Sequence, residues 1–178
     1  DAMTSVAIVL PTYNEEHSRP QTIMGIKRLD PAPDEILLVD GGSTDRTLEI
    51  AREAGLQTHS SPRKGRGAQI NHGIAQTKAE IVCVLHADSR LPVDAVDVIR
   101  ATLQNPKLVL ASFTPRVAGP TGTRWGSTFH NWIKTWYAPL LIRPDLFIRG
   151  MRLLYGDHAM FFRTSDFWAV GGCDERLG

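Results

Sequence analysis

The stretch Glu35–Gly55, EILLVDGGSTDRTLEIAREAG, decides how the rest of the chain is read. EILLV is a short continuous apolar run, the pattern of a strand buried on both faces, and such strands belong to parallel sheets. It ends in a carboxylate, Asp40, and then a pair of glycines. Helix signals follow: Ser43 or Thr44 can cap, Asp45 favours the positive end, Leu48, Ala51 and Ala54 share one face, and Gly55 closes it. A buried strand feeding a helix through a polar turn is half of the crossover unit that parallel strands require.

Working outward, the same phrase recurs. VAIVL (Val6–Leu10) is a buried strand that Pro11 is expected to end, and a helix near Pro20 turns Ile23, Ile26 and Leu29 inward. Downstream come a short strand around Thr58, the basic glycine-rich segment SPRKGRG (Ser61–Gly67) and a helix over 68–77. IVCVL (Ile81–Leu85) is a third buried strand, followed by His86, Ala87 and Asp88 and by a helix that Pro92 opens, with Val93, Val96, Ile99 and Leu103 at helical spacing. Leu108–Phe113 and Ala159–Arg163 read as further strands, and Thr164–Val170 as a short helix ended by Gly171 and Gly172. Between them Trp125, Phe129, Trp132, Ile133, Trp136 and Tyr137 recur at spacings of three and four, an amphipathic helix. The expected class is α/β: a Rossmann-like, doubly wound, mostly parallel sheet with helices on both faces. No repeat or linker interrupts it, so residues 1–178 are expected to form a single domain.

With 42% hydrophobic and 22% charged residues, the composition is that of an ordinary globular protein. A formal charge of +1 gives no field that would recruit nucleic acid, so any anion site must be local. Cys83 and Cys173 lie far apart and read as reduced thiols, the state expected of a cytoplasmic protein. No run approaches the ~20 apolar residues of a membrane span, and no secretory signal pattern opens the chain. Asp1 and Ala2, ahead of Met3, read as a tag remnant.

In an open parallel sheet, ligands bind outside the carboxyl ends of the strands. There the sequence places Thr12, Tyr13, Asn14 and Glu15 after the first strand, Asp40 after the second, and His86 and Asp88 after the third buried one. Asp40 has two readings, an acceptor for a base or ribose and a cap for the glycine turn. Arg63, Lys64 and Arg66 sit among glycines as a phosphate site would want, although GxxxxGK[ST] spacing is absent and such loops are also commonly just solvated. Asp88 suits a hard divalent cation that also takes phosphate oxygens; the other reading is a cap for the next helix. His86 reads either as a ligand-side residue or as a hydrogen-bonded core histidine.

Together, PTYNEE (Pro11–Glu16), VDGGSTD (Val39–Asp45), GRGAQINHGI (Gly65–Ile74) and HAD (His86–Asp88) resemble, in order, the motifs of glycosyltransferase family 2, whose members have the GT-A fold. The resemblance covers nearly the whole chain and implies a metal-assisted, inverting transfer of a sugar from a nucleoside-diphosphate sugar. It implies a pocket lined by Pro11, Thr12, Tyr13 and Glu15, base contact by Asp40, Lys64 or Arg66 near base or diphosphate, and His86, Ala87 and Asp88 in the position of the family's DXD motif. Asp88 would be the ligand for Mg2+ or Mn2+. YGDHAMFFR (Tyr155–Arg163) resembles the acceptor-side segment, with Gly156, Asp157 and His158 facing sugar or acceptor.

Two departures qualify the match. His86 replaces the first aspartate of DXD, a variation that resembles a subgroup of small bacterial members with an LHAD segment. The family's general base is an acidic residue some way beyond the glycine pair, and only Cys173–Gly178 follow here, so the base is expected beyond Gly178 and the chain to lack its C-terminal end. Two rival functions are a nucleotidyltransferase, which should carry a glycine-rich Arg/Lys loop directly after the first strand, and a non-catalytic nucleotide-sugar-binding domain. The aromatic stripe either packs on the sheet or forms a platform for a sugar, a lipid-linked acceptor or the inner face of the membrane.

Overall fold

The computed structural model describes residues 3–86, 89–113, 118–119, 122–123, 129 and 159–177. The chain divides into two compact units, one of Asp1–Ala111 with Ala159–Gly178 and one of Ser112–His158.

The first unit is built on the buried runs. β1 (Val6–Thr12), β2 (Glu35–Asp40), β3 (Gln57–Ser60) and β4 (Ile81–Val84) pair in parallel in the order β3-β2-β1-β4. β5 is Leu110–Ser112, and β8 (Met160–Arg163) lies between β4 and β5, antiparallel to β4. The strand of AMFFR thus joins the sheet against the direction of its neighbours, which makes the sheet mostly parallel. In the second unit β6 (Ala118–Gly119) and β7 (Gly122–Thr123) form an antiparallel pair.

The helices of the first unit are α1 (Arg19–Lys27), α2 (Thr47–Glu53), α3 (Arg66–Gln76), α4 (Ala95–Leu103) and α5 (Thr164–Ala169). Alternation along β1 divides its side chains between two faces. Ala7 and Val9 pack with Ile70 and Ile74 of α3, with Leu37, Val39, Val82 and Val84, and with Phe162 and Phe167. Val6, Ile8 and Leu10 point the other way and are equally buried, as are Ile23 and Ile26 of α1 and Val96 and Ile99 of α4. The two phenylalanines stack with ring centroids 5.0 Å apart. α3 comes so close to the sheet that a Cβ at Gly73 would sit 2.7 Å from methyls of both Val9 and Val39.

Several boundaries differ from the sequence reading. β1 continues through Pro11 to Thr12; its pairing with β4 stops at Val9, so Pro11's missing N–H removes no bond on that side. α2 starts at Thr47 rather than after Ser43 or Thr44, because those two residues bond Asn14 across the neighbouring loop while Asp45 takes Thr47's N–H (3.0 Å) and hydroxyl (2.5 Å). α3 begins at Arg66, and α4 begins at Ala95, leaving Val93 61% exposed. Among the residues of the aromatic stripe only Phe129 is described; it is helical and exposed.

Candidate functional site

The register aligns the carboxyl ends of three strands, with Thr12 beside Asp40 and Asp40 beside Ser60. β4 ends opposite Val9, where Leu85 N–H donates to Val9 O at 3.0 Å, and buried His86 follows directly. Four parallel strands therefore release their loops along one edge.

The first two loops are stitched together by side chains. Asn14, at φ 50°, donates its N–H to Ser43 Oγ (2.9 Å), and its Oδ1 accepts Thr44 N–H (2.8 Å). Glu15 N–H donates to Thr47 Oγ1 (2.8 Å), Glu16 N–H to Asp45 Oδ2 (3.1 Å), and Arg46 N–H to Glu16 Oε2 (3.1 Å). Asn and Asp tolerate such turns because their short side chains reach backbone groups locally.

Asp40 is 2% exposed, and its carboxylate accepts Gly42 N–H (2.9 Å) and Ser43 N–H (3.0 Å). Of its two sequence readings, the turn cap is the one the geometry displays. Thr12 is buried, its hydroxyl donating to Leu10 O. Pro11 is buried, Tyr13 is 52% exposed at the mouth of the loop, and the Glu15 carboxylate pairs with Arg19. Lys64 is exposed in the basic loop, and Arg66 is the exposed first residue of α3, at that helix's positive end. Ala87, Asp88, Gly156, Asp157 and His158 lie outside the described residues. Among the described residues no three His, Cys, Asp or Glu side chains cluster as a ready-made metal site.

Sequence reasoning missed three residues. Gln69 is buried on α3 beneath Gly41, where its Nε2 donates to Thr12 O (2.7 Å) and Val39 O (2.9 Å). The signal was a polar residue beside Ala68 and Ile70, on the buried face of an amphipathic helix. Arg19 is wholly buried, and desolvation pulls its guanidinium down to about 10. Asn71 holds the chain after the glycine pair: its Nδ2 donates to Cys173 O (2.9 Å) and Glu175 Oε1 (3.0 Å), and its Oδ1 accepts Cys173 N–H (2.8 Å). Arg63 of the basic loop closes the clasp on Glu175 (2.7 Å). Asn71 and Arg63 hold the Glu175 carboxyl below its ordinary range, and Arg176 does the same to Asp174.

A family profile described as "Glycosyl transferase family 2" matches residues 7–171. The chain is 31% identical over 131 residues to an uncharacterized glycosyltransferase of Mycobacterium bovis, covering 72% of this chain and 58% of that one. It is 32% identical over 111 residues to an undecaprenyl-phosphate 4-deoxy-4-formamido-L-arabinose transferase of Pectobacterium carotovorum, covering 54% of this chain and 32% of the relative. The chain therefore spans little more than half the length of the first of these relatives. In fold it is similar to a mannosyltransferase from Pyrobaculum calidifontis in complex with GDP-Man and Mn2+, with a TM-score of 0.69 and 21% identity, covering 96% of this chain and 48% of that one. A glucosyl-3-phosphoglycerate synthase from Mycobacterium tuberculosis, in complex with Mn2+, uridine diphosphate and phosphoglyceric acid, shares the fold with a TM-score of 0.65 and 22% identity, over 91% of this chain and 56% of that one.

Proposed function

Because the chain belongs to glycosyl transferase family 2, we propose that it is the donor-binding part of an inverting glycosyltransferase acting on a nucleoside-diphosphate sugar. The observation that carries this reading is the alignment of Thr12, Asp40 and the loop after β4 along one sheet edge, beside the basic start of α3. In this reading Pro11, Thr12, Tyr13 and Glu15 line the nucleotide pocket. Asp40 shapes the glycine turn so that the backbone can face the base, and Lys64 and Arg66 meet the diphosphate.

Asp88 would hold a hard divalent cation as a carboxylate ligand; His86, two residues before it in the chain, is buried. Bound there, Mg2+ or Mn2+ supplies charge neutralisation of the departing diphosphate. Arg66 adds a cationic hydrogen-bond donor on the same side. Gly156, Asp157 and His158 receive the acceptor, whose hydroxyl loses its proton to a carboxylate base. The chain forms one catalytic domain of the subgroup with an LHAD segment and works in the bacterial cytoplasm. We take the acceptor to be lipid-linked, in line with the undecaprenyl-phosphate relative, so transfer takes place at the inner face of the membrane although no described helix is long and apolar enough to cross it.

Calorimetry with UDP-glucose, GDP-mannose and dTDP-glucose, with and without Mn2+, tests the reading. One donor should bind in a Mn2+-dependent manner, and Asp88→Ala should abolish that dependence with the fold intact. Failure of all three donors to bind the wild-type chain refutes the proposal, and unchanged Mn2+ dependence in the variant removes Asp88 from the metal site.

A further inference from the structure

Arg19 occupies a position that its chemistry does not explain. It is the first residue of α1 and wholly buried, in a helix that also buries Ile23 and Ile26. One of its terminal nitrogens, Nη2, serves the Glu15 carboxylate and reaches Pro11 O at 3.5 Å. Nε and Nη1 are buried without an acceptor among the described residues. A buried cation so incompletely matched is a poor device for stability, because an apolar side chain of similar volume does as well or better in such a slot. The pair is also asymmetric: Arg19 has no access to water, whereas 28% of the Glu15 side chain is exposed.

The position supplies what the energetics do not. Pro11 and Glu15 flank the turn whose outer side is stitched to the second loop through Asn14, Glu15 and Glu16. Arg19 grips the same turn from inside. A carboxylate at the mouth of a pocket meant for a diphosphate repels it, and like charges brought together in a partly desolvated site cost enough to decide affinity. We infer that Arg19 is a positioning residue for the nucleotide: it draws the Glu15 carboxylate inward and neutralises it, so that the pocket accepts a polyanionic donor. The inference rests on the proposed donor site. It assigns to Glu15 a function as a tethered, charge-compensated wall of the pocket.

The test is a cycle of Arg19→Met, Glu15→Gln and the double variant in the full chain, each read by thermal melting and by calorimetric Kd for UDP-glucose, GDP-mannose and dTDP-glucose with Mn2+. Arg19→Met should melt at or above the wild-type temperature yet bind the donor about tenfold or more weakly, since Glu15 is released with its charge. Glu15→Gln should melt well below wild type, because it strands a buried cation. The double variant should recover most of the affinity lost by Arg19→Met; a purely structural arginine would give no such recovery. Wild-type binding together with an Arg19→Met Kd within twofold of it overturns the inference alone, as does a double variant as weak as Arg19→Met. A wild-type chain that binds none of the three overturns both the inference and the reading beneath it.

Discussion

Gly73 offers the sharpest test of how α3 is seated. It lies inside a helix, where replacing glycine with alanine ordinarily gains up to about 1 kcal/mol by removing backbone freedom from the unfolded chain. Here the added methyl would stand 2.7 Å from Val39 Cγ2 and 2.7 Å from Val9 Cγ1, well inside ordinary contact distance. Both valines are wholly buried on adjacent strands of the central sheet, so neither can yield without displacing its own neighbours. Overpacking of this kind costs about 1–3 kcal/mol. With two buried valines met at once the cost falls in the upper half of that range, about 2–3 kcal/mol, so that net of the propensity gain Gly73→Ala is about 1–2 kcal/mol less stable, or about 2–8 °C in melting temperature for a chain of this size. Urea denaturation followed by circular dichroism measures the loss. Gly25→Ala is the internal control: it too lies within a helix, its added methyl meets nothing within 4 Å, and it should be neutral or stabilising by up to about 1 kcal/mol. If Gly73→Ala matched or exceeded wild-type stability, the close seating of α3 on β1 and β2 would be wrong.

Gln69→Leu should lose about 1–3 kcal/mol, since it withdraws a donor from the carbonyls of Thr12 and Val39. Gln69→Glu should be worse at neutral pH and recover in acid: a buried carboxyl facing two carbonyls keeps its proton when folded, so its stability deficit grows as pH rises above the unfolded value of about 4.3; chemical melts at pH 4 and pH 8 check the direction. Burial pushes the Cys83 thiol up to about 12. The unfolded thiol ionises from about 8.5, so stability should decline between that pH and 12, Cys83→Val should lessen the decline, and thiol-reactive dye should reach Cys83 only on unfolding.

The sheet was legible because its evidence is chemical and local. VAIVL, EILLV and IVCVL are apolar at every position, and only strands buried on both faces need that. The polar residues that end those runs mark the edge proposed as the site by the same logic. The stitching was not legible. That Asn14 would meet Ser43 and Thr44 depends on the register of β1 with β2, which pattern alone does not give. The helix starts were displaced for the same reason: Ser43 and Thr44 are good caps in isolation and were claimed by the neighbouring loop. Arg19 was illegible because charged residues are ordinarily read as solvated, and its burial follows from the packing of α1.

The placement of β8 sets an order of events for a growing or refolding chain. β1 to β4 finish by Val84, and β2, β3 and β4 each pair with a strand already made. β8 pairs Met160 with Val84 and Arg163 with Ile81, so the free side of β4 is covered only by residues more than seventy positions later. Until those residues arrive, Ile81–Val84 is an apolar strand with an open edge, the kind of surface that invites wrong partners. Closing so long a loop is slow relative to forming the parallel half. The late strand should therefore set the rate of the final folding step, and conditions that delay it should lead to aggregation through β4.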